Sequence, residues 1–232
     1  IRDTVALLRG DDARYGIFVE AGHALNTRIE EALQAQPGRP EDAQRWLCEH
    51  YFDIRMFGAV LTAGKGRPPA RVHGPVQVSF ARSLDPVYPI DHTITRVTQT
   101  RQEDIDKGEQ TEMGSKWTVP YGLYRGCLLY SPPRGRKTGV TSDDLAMLWR
   151  SLELMCELGR SASTGVMSLC GLYVFSHDSP YGLAPWKVLD GRIQVERRSD
   201  TPPRRHTDYQ RTIADTDLPT GVTLTRLVDV WA

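Results

Sequence analysis

Apolar positions recur at helical spacing through the first fifty residues. Val5, Leu7 and Leu8 share one side of a helix covering residues 1–9, which Gly10 ends. A second helix is expected over residues 26–34, capped by Asn26 and stopped at Pro37-Gly38. Pro40, Glu41 and Asp42 open a third that runs to about His50. Its Ala43, Trp46 and Leu47, with Tyr51 one turn on, are spaced to face a core. The period then changes. Residues 53–61 read as a strand and residues 64–69 as a flexible basic loop. Val76, Val78 and Phe80 alternate with Gln77, Ser79 and Ala81, the period of two of a strand covered on one face.

The middle of the chain predicts a long β-hairpin. A β-rich run over residues 93–101 leads into a charged stretch, 102–112, with little to bury, and the chain returns through residues 116–119 and a strand over 123–130. Polar loops of this length are functional or unstructured. Residues 132–137, Pro-Pro-Arg-Gly-Arg-Lys, read as a basic turn. Thr141 caps an amphipathic helix carrying Leu145, Leu148, Trp149, Leu152, Met155 and Cys156, which ends at Gly159. Strands are expected over 172–175, 193–195 and 222–227, with a charged loop over 197–211. The pattern is α+β, without internal repeats or heptads.

Composition narrows the function classes. At 232 residues the chain is long enough to bury a core as one domain. Cys48, Cys127, Cys156 and Cys170 are irregularly spaced with no Cys-x-x-Cys, which suggests neither a zinc site nor a disulfide framework, and no metal or cofactor is expected. No apolar run approaches the roughly 18–20 residues of a membrane span, so a cytoplasmic protein without membrane contact is expected. The net charge is zero, yet residues 61–140 hold 12 Lys/Arg against 7 Asp/Glu. Such a basic segment suits phosphate contacts, and equally a solvated set of loops.

One family is resembled in order along the chain. The residues are 52–60 (Phe-Asp-Ile-Arg-Met-Phe-Gly-Ala-Val), 72–83 (Val-His-Gly-Pro-Val-Gln-Val-Ser-Phe-Ala-Arg-Ser), Ile94-Thr95-Arg96, Met113-Gly114-Ser115-Lys116 and 119–124 (Val-Pro-Tyr-Gly-Leu-Tyr). The series resembles the Cas7 (Csd2) backbone subunit of type I-C CRISPR surveillance complexes. The resemblance implies a ferredoxin-like (RRM-type) palm with inserted helices, residues 1–232 forming one RNA-binding domain and residues 93–130 an inserted hairpin, the thumb. The palm's first strand is expected to be missing, since the sequence starts after it. The implied partners are guide crRNA, the target DNA strand, further copies of the chain in head-to-tail contact, and the Cas5 and Cas8 subunits. No catalysis is implied.

Candidate contacts follow from these segments. A finger that holds RNA open needs an apolar residue near its tip and cations at its base, which Met113 with Lys116, Arg96 and Arg101 supply. Residues 159–165 (Gly-Arg-Ser-Ala-Ser-Thr-Gly) let backbone amides approach phosphate, with Arg160 and Ser161 as contacts. They are similar to an Asp-Arg-Ser-Ala-Ala-Arg-Gly stretch of the family, with Gly159 and Thr164 departing from it. Arg55, beside Gly58, and Arg82 with Gln77 are expected on an RNA-facing sheet. A surface salt bridge with Asp53 or Asp85 explains the two arginines equally well. The alternatives are an endoribonuclease of the RAMP type, for which His50, His73 and His92 are the imaginable bases, and a protein-only assembly module. Cys170 and His177 could suggest a thiol nucleophile, but a small Cys beside an apolar strand is usually core.

Overall fold

A computed structural model describes residues 1–36, 40–61, 70–108, 111–162 and 165–231. The expected helix stop at Pro37-Gly38, the 64–69 loop and residues 163–164 lie outside the described residues. Along the chain, α1 (Arg2–Leu8), α2 (Leu25–Ala35), α3 (Pro40–His50) and α4 (Phe52–Phe57) precede β1 (Gly58–Leu61), β2 (Ala70–His73), β3 (Val76–Val78) and β4 (Arg82–Ser83). Next come β5 (Ile90–Arg96), α5 (Gln102–Asp106), β6 (Glu112–Thr118), β7 (Tyr124–Arg125), β8 (Leu128–Tyr130), α6 (Pro132–Thr138) and α7 (Ser142–Leu158). The chain closes with β9 (Gly171–His177), α8 (Trp186–Asp190), β10 (Ile193–Arg197), β11 (Tyr209–Ile213) and β12 (Val222–Asp229). The fold is α+β. Among the described residues the strands pair two by two, as β1–β2, β3–β8, β4–β7, β5–β6, β9–β12 and β10–β11.

The chain divides into two compact units, the first built from residues 1–80, 127–194 and 211–232 and the second from 81–126 and 195–210. In the first unit α4 lies between two apolar clusters. Phe52 and Met56, one helical turn apart, pack with Val5, Tyr15, Ile17, Val76 and Leu148. Ile54 points the other way, into Phe18, Ile29, Ala32, Leu47, Leu61 and Val72. A six-residue helix buried on both sides has no solvent face. For that reason the strand expected over residues 53–61 is corrected to a helix followed by the short strand β1. Where α4 meets β1 the backbone turns at Gly58, φ +76°, and a Cβ there would lie 2.3 Å from the Val72 carbonyl oxygen and 2.4 Å from the Gly74 nitrogen. No side chain fits that crossing.

Two buried ions flank the same helix. Arg55, fully buried, donates from Nη2 to Asp144 Oδ1 at 2.7 Å and from Nε to Oδ2 at 3.1 Å. Its remaining bonds go to the carbonyls of Cys48 (2.6 Å), Glu49 (3.3 Å) and Arg14 (3.1 Å). Asp144 also accepts from Arg14 Nη2 at 2.8 Å and closes a capping box with Thr141, the residue expected to cap α7. On the other flank Asp53 accepts from Arg2 Nε and from the backbone N–H of Phe18, each at 2.8 Å.

Other expectations shift by local chemistry. The helix expected from Asn26 runs Leu25–Ala35 from an Ala24 cap with no side-chain bond. Residues 132–137 are not a turn but the start of α6, because prolines in the first helical turn pre-set φ and lack only N–H groups that have no helical partner. The strand expected over 123–130 breaks into β7 and β8. The alternation at 76–81 holds only for Val76, since Val78 and Phe80 are 58% and 96% exposed. The loop expected at 197–211 ends in β11, whose Tyr209 is buried in the second unit. There its hydroxyl donates to Asp85 at 2.7 Å, and Arg197 pairs with the same carboxylate at 3.3 Å.

The Arg55–Asp144 pair sets a stability prediction. Removing one partner leaves a buried, uncompensated charge, so Asp144→Ala should lower the unfolding free energy by about 3–5 kcal/mol in urea titrations. Burial alone would raise the Asp144 carboxyl, but bonds from Arg55, Thr141 and Arg14 outweigh it and hold the group below the ordinary aspartate value. Its contribution is therefore fully present above about pH 4, the unfolded value, and is lost as pH falls through the folded value below that. Asp144→Asn should show a shallower loss of stability in this acid range. Parallel curves for parent and variant would refute the assignment.

Candidate nucleic-acid interface

The second unit carries the hairpin. Strand β5 pairs antiparallel with β6 from Ile90↔Thr118 to Arg96↔Glu112, so side chains alternate between two faces. One face presents Met113, Ser115 and Trp117 beside Thr95, Thr93 and Asp91. The other presents Lys116 beside His92 and Arg96 beside Glu112. The expected apolar residue and two of its cations, Lys116 and Arg96, are thus carried on one ladder but back to back. All of β5 is exposed, and Met113 and Trp117 on β6 are 75% and 65% exposed. A two-stranded ribbon solvated on both faces is marginal by itself, and exposed apolar side chains of this size mark a contact surface.

The hairpin cations differ from one another. Arg96 is held locally: it pairs with Glu112 and donates to the Thr98 carbonyl at 2.9 Å and to Thr100 Oγ1 at 2.5 Å, which pins the distal end of the ladder. Arg101 is exposed at the N-cap of α5. Lys116 is half-buried opposite His92. Arg82 is exposed on β4, directly opposite Arg125 of β7. Sequence reading missed the position of Arg125, because only the register brings it opposite Arg82.

The remaining candidates belong to the first unit. Arg55 is corrected: it faces neither solvent nor a sheet, and its donors are spent on Asp144 and main-chain carbonyls. Gln77 is exposed on β3 and lines an open cleft of about 660 Å³ with Ile1, Arg2, Val19, Phe57 and Val78. Arg160, just past the end of α7, is exposed and pairs with Glu157 one turn earlier, and Ser161 forms an isolated antiparallel bridge with Gly165.

The side chains weighed for catalysis are dispersed. His50 stacks on Trp46 at 3.9 Å between ring centroids and shares its Nδ1 with the Trp46 carbonyl at 2.8 Å. His92 bonds Thr118 Oγ1 at 2.9 Å, and His73 is exposed on β2. The length of β9 separates Cys170 from His177, whose Nδ1 accepts the Leu183 N–H at 3.0 Å. Burial pushes the Cys170 thiol up, away from thiolate. Among the described residues no group of His, Cys, Asp and Glu could hold a metal ion, and no helix is long and apolar enough to cross a membrane.

A family model described as CRISPR-associated protein Cas7 matches residues 1–214. No curated protein matches the chain.

The exposed ribbon makes Met113 and Trp117 dispensable for folding. Met113→Ala and Trp117→Ala should each change the unfolding free energy by no more than about 0.5 kcal/mol in urea titration. A loss of about 2 kcal/mol or more would mean that the ribbon is packed against the protein itself.

Proposed function

The chain belongs to the CRISPR-associated Cas7 family, and on that premise we propose that it is the guide-RNA-binding backbone subunit of a type I-C surveillance complex, the Csd2 subunit of Cascade. In this reading copies add head to tail along crRNA in the cytoplasm, hold it for pairing with the target DNA strand, and meet Cas5 and Cas8 at the ends of the assembly. The subunit binds RNA without cutting it. Its first unit corresponds to the ferredoxin-like palm and its hairpin to the thumb.

The observation that carries the reading is the β5–β6 ribbon, with Met113 and Trp117 uncovered on one face and a half-buried Lys116 on the other. A neighbouring copy or an RNA strand supplies the surface that such a ribbon lacks. Unpaired bases stack or wedge against apolar side chains while cations meet the phosphates, which suits a finger with different chemistry on its two faces.

Purified protein mixed with repeat-containing RNA tests this. Filaments that lengthen with the RNA, and RNA recovered intact, are expected. Cleaved RNA would instead support the endoribonuclease reading, and a closed dimer unaffected by RNA would refute head-to-tail growth. Lys116→Ala should flatten the dependence of log affinity on log salt by roughly 0.7 for a lost single-strand phosphate contact. Met113→Ala should leave that slope alone, weaken binding by about 1–3 kcal/mol, and change base reactivity at regular intervals along the guide.

A further inference from the structure

The first unit carries a second basic surface, on helix α6 and the adjoining strand β2. Gly135 and Thr138 form the buried side of α6, where Gly135 is pressed so close to Tyr130 that a Cβ would lie 2.3 Å from the phenol oxygen. That seating turns Arg134, Arg136 and Lys137 outward, and all three are exposed. Helix α6 packs against β2, whose Arg71 is exposed beside buried Val72. Strands β1 and β2 and helix α6 contain no Asp or Glu.

The two buried acids of the elements around this surface are already used. Asp53 on α4 is taken by Arg2 and by main-chain N–H groups, and Asp144 on α7 by Arg55 and Arg14. Asp143, at the start of α7, is the exposed acid nearest in sequence. Elsewhere in this unit exposed helix arginines have an acid one turn away, as in Arg150–Glu153 and Arg160–Glu157. Among the described residues none is paired with Arg71, Arg134, Arg136 or Lys137. The helix dipole accounts for cations in the last turn, Arg136 and Lys137, but not for Arg134 in the first or for Arg71 on a strand.

The geometry points to a contact for the phosphodiester backbone of a nucleic acid on the outer face of α6 and the adjoining β2, separate from the hairpin unit. Three of the four cations are arginines, whose planar forks match phosphate oxygens in pairs. The only large apolar side chain exposed on these elements is Val60, at 61%, which is too little for the desolvated centre of a protein interface. No Phe, Tyr or Trp lies on them, and His73 at the end of β2 is their one exposed ring, so the contact is chiefly to the backbone and largely independent of sequence. The family reading bears only on which strand lies there, the guide RNA or the DNA paired with it.

The test uses the full chain, with anisotropy titrations at several salt concentrations against unrelated single-stranded RNA and, separately, against complementary DNA added to the RNA-bound protein. Arg134→Ala/Arg136→Ala should flatten the log–log salt slope by about 1.4 where two single-strand phosphates are lost, or about 1.8 for a duplex, equally for all sequences. Arg134→Lys/Arg136→Lys should restore the slope, which a folding defect would not allow. A change in the first titration assigns the surface to RNA, and a change confined to the second assigns it to the DNA strand. Slopes equal to the parent in both overturn the inference, while the Lys116 and Met113 effects would leave the family reading standing. If instead the hairpin variants do nothing and this pair alone matters, the backbone reading falls and this surface remains.

Discussion

The first unit depends on one buried ion pair. Arg55 and Asp144 meet in two charge-assisted bonds inside apolar surroundings, and Arg55 spends its other donors on carbonyls at the end of α3 and beside the short 3-10 turn at Ala13–Tyr15. One guanidinium thereby fixes α4 to α3, to the chain before it and to the first turn of α7. A hydrophobic contact at this junction could slide by a methylene. A fork with this many directional partners has a single seating. Taking both charges out of water costs several kcal/mol, so the pair contributes more to selecting one docking than to net stability.

The second ion on α4 extends that constraint. Asp53 accepts from the backbone N–H of Phe18 and Val19 as well as from Arg2, which ties the bend at residues 18–19 and α1 to the opposite flank. Between the two ions, Phe52 and Met56 fill one apolar cluster and Ile54 the other. Helix α4 thus positions β1, and the glycine crossing at Gly58 and Gly74 then sets where β2 and β3 run. Gln77 owes its place on an exposed rim to this sequence of contacts.

Elements with one wet face were legible in the sequence. The cap at Thr141 and the apolar stripe of α7 mark a helix with solvent on one side, whereas β5–β6, wet on both faces, was legible only through its β-rich composition. Residues 52–57 show no such stripe, since both sides are buried, and a lone arginine in an apolar run reads as a solvent-facing charge. Its partner lies 89 residues away, a pairing no local pattern encodes. Helix α6 was obscured differently: two prolines and a glycine resemble a turn, yet the prolines open the helix and the glycine is where it meets Tyr130. The opposition of Arg82 and Arg125 depends on register alone.

Net charge is the wrong scale on which to judge whether this chain binds a polyanion. Arg2, Arg14, Arg28 and Arg55 each meet a carboxylate within 2.8 Å, and Arg211 is paired with Asp229 in the same way. These cations and their acids cancel locally and present little to a ligand. Exposed cations on elements that contain no acid act on the surrounding solution, where screening falls off over about 8–10 Å and the field of a small patch dominates at contact. A neutral protein assembled in this way keeps its internal ions for fixing the fold. Its exposed cations stay in local clusters, whose field the ions inside the fold do not cancel.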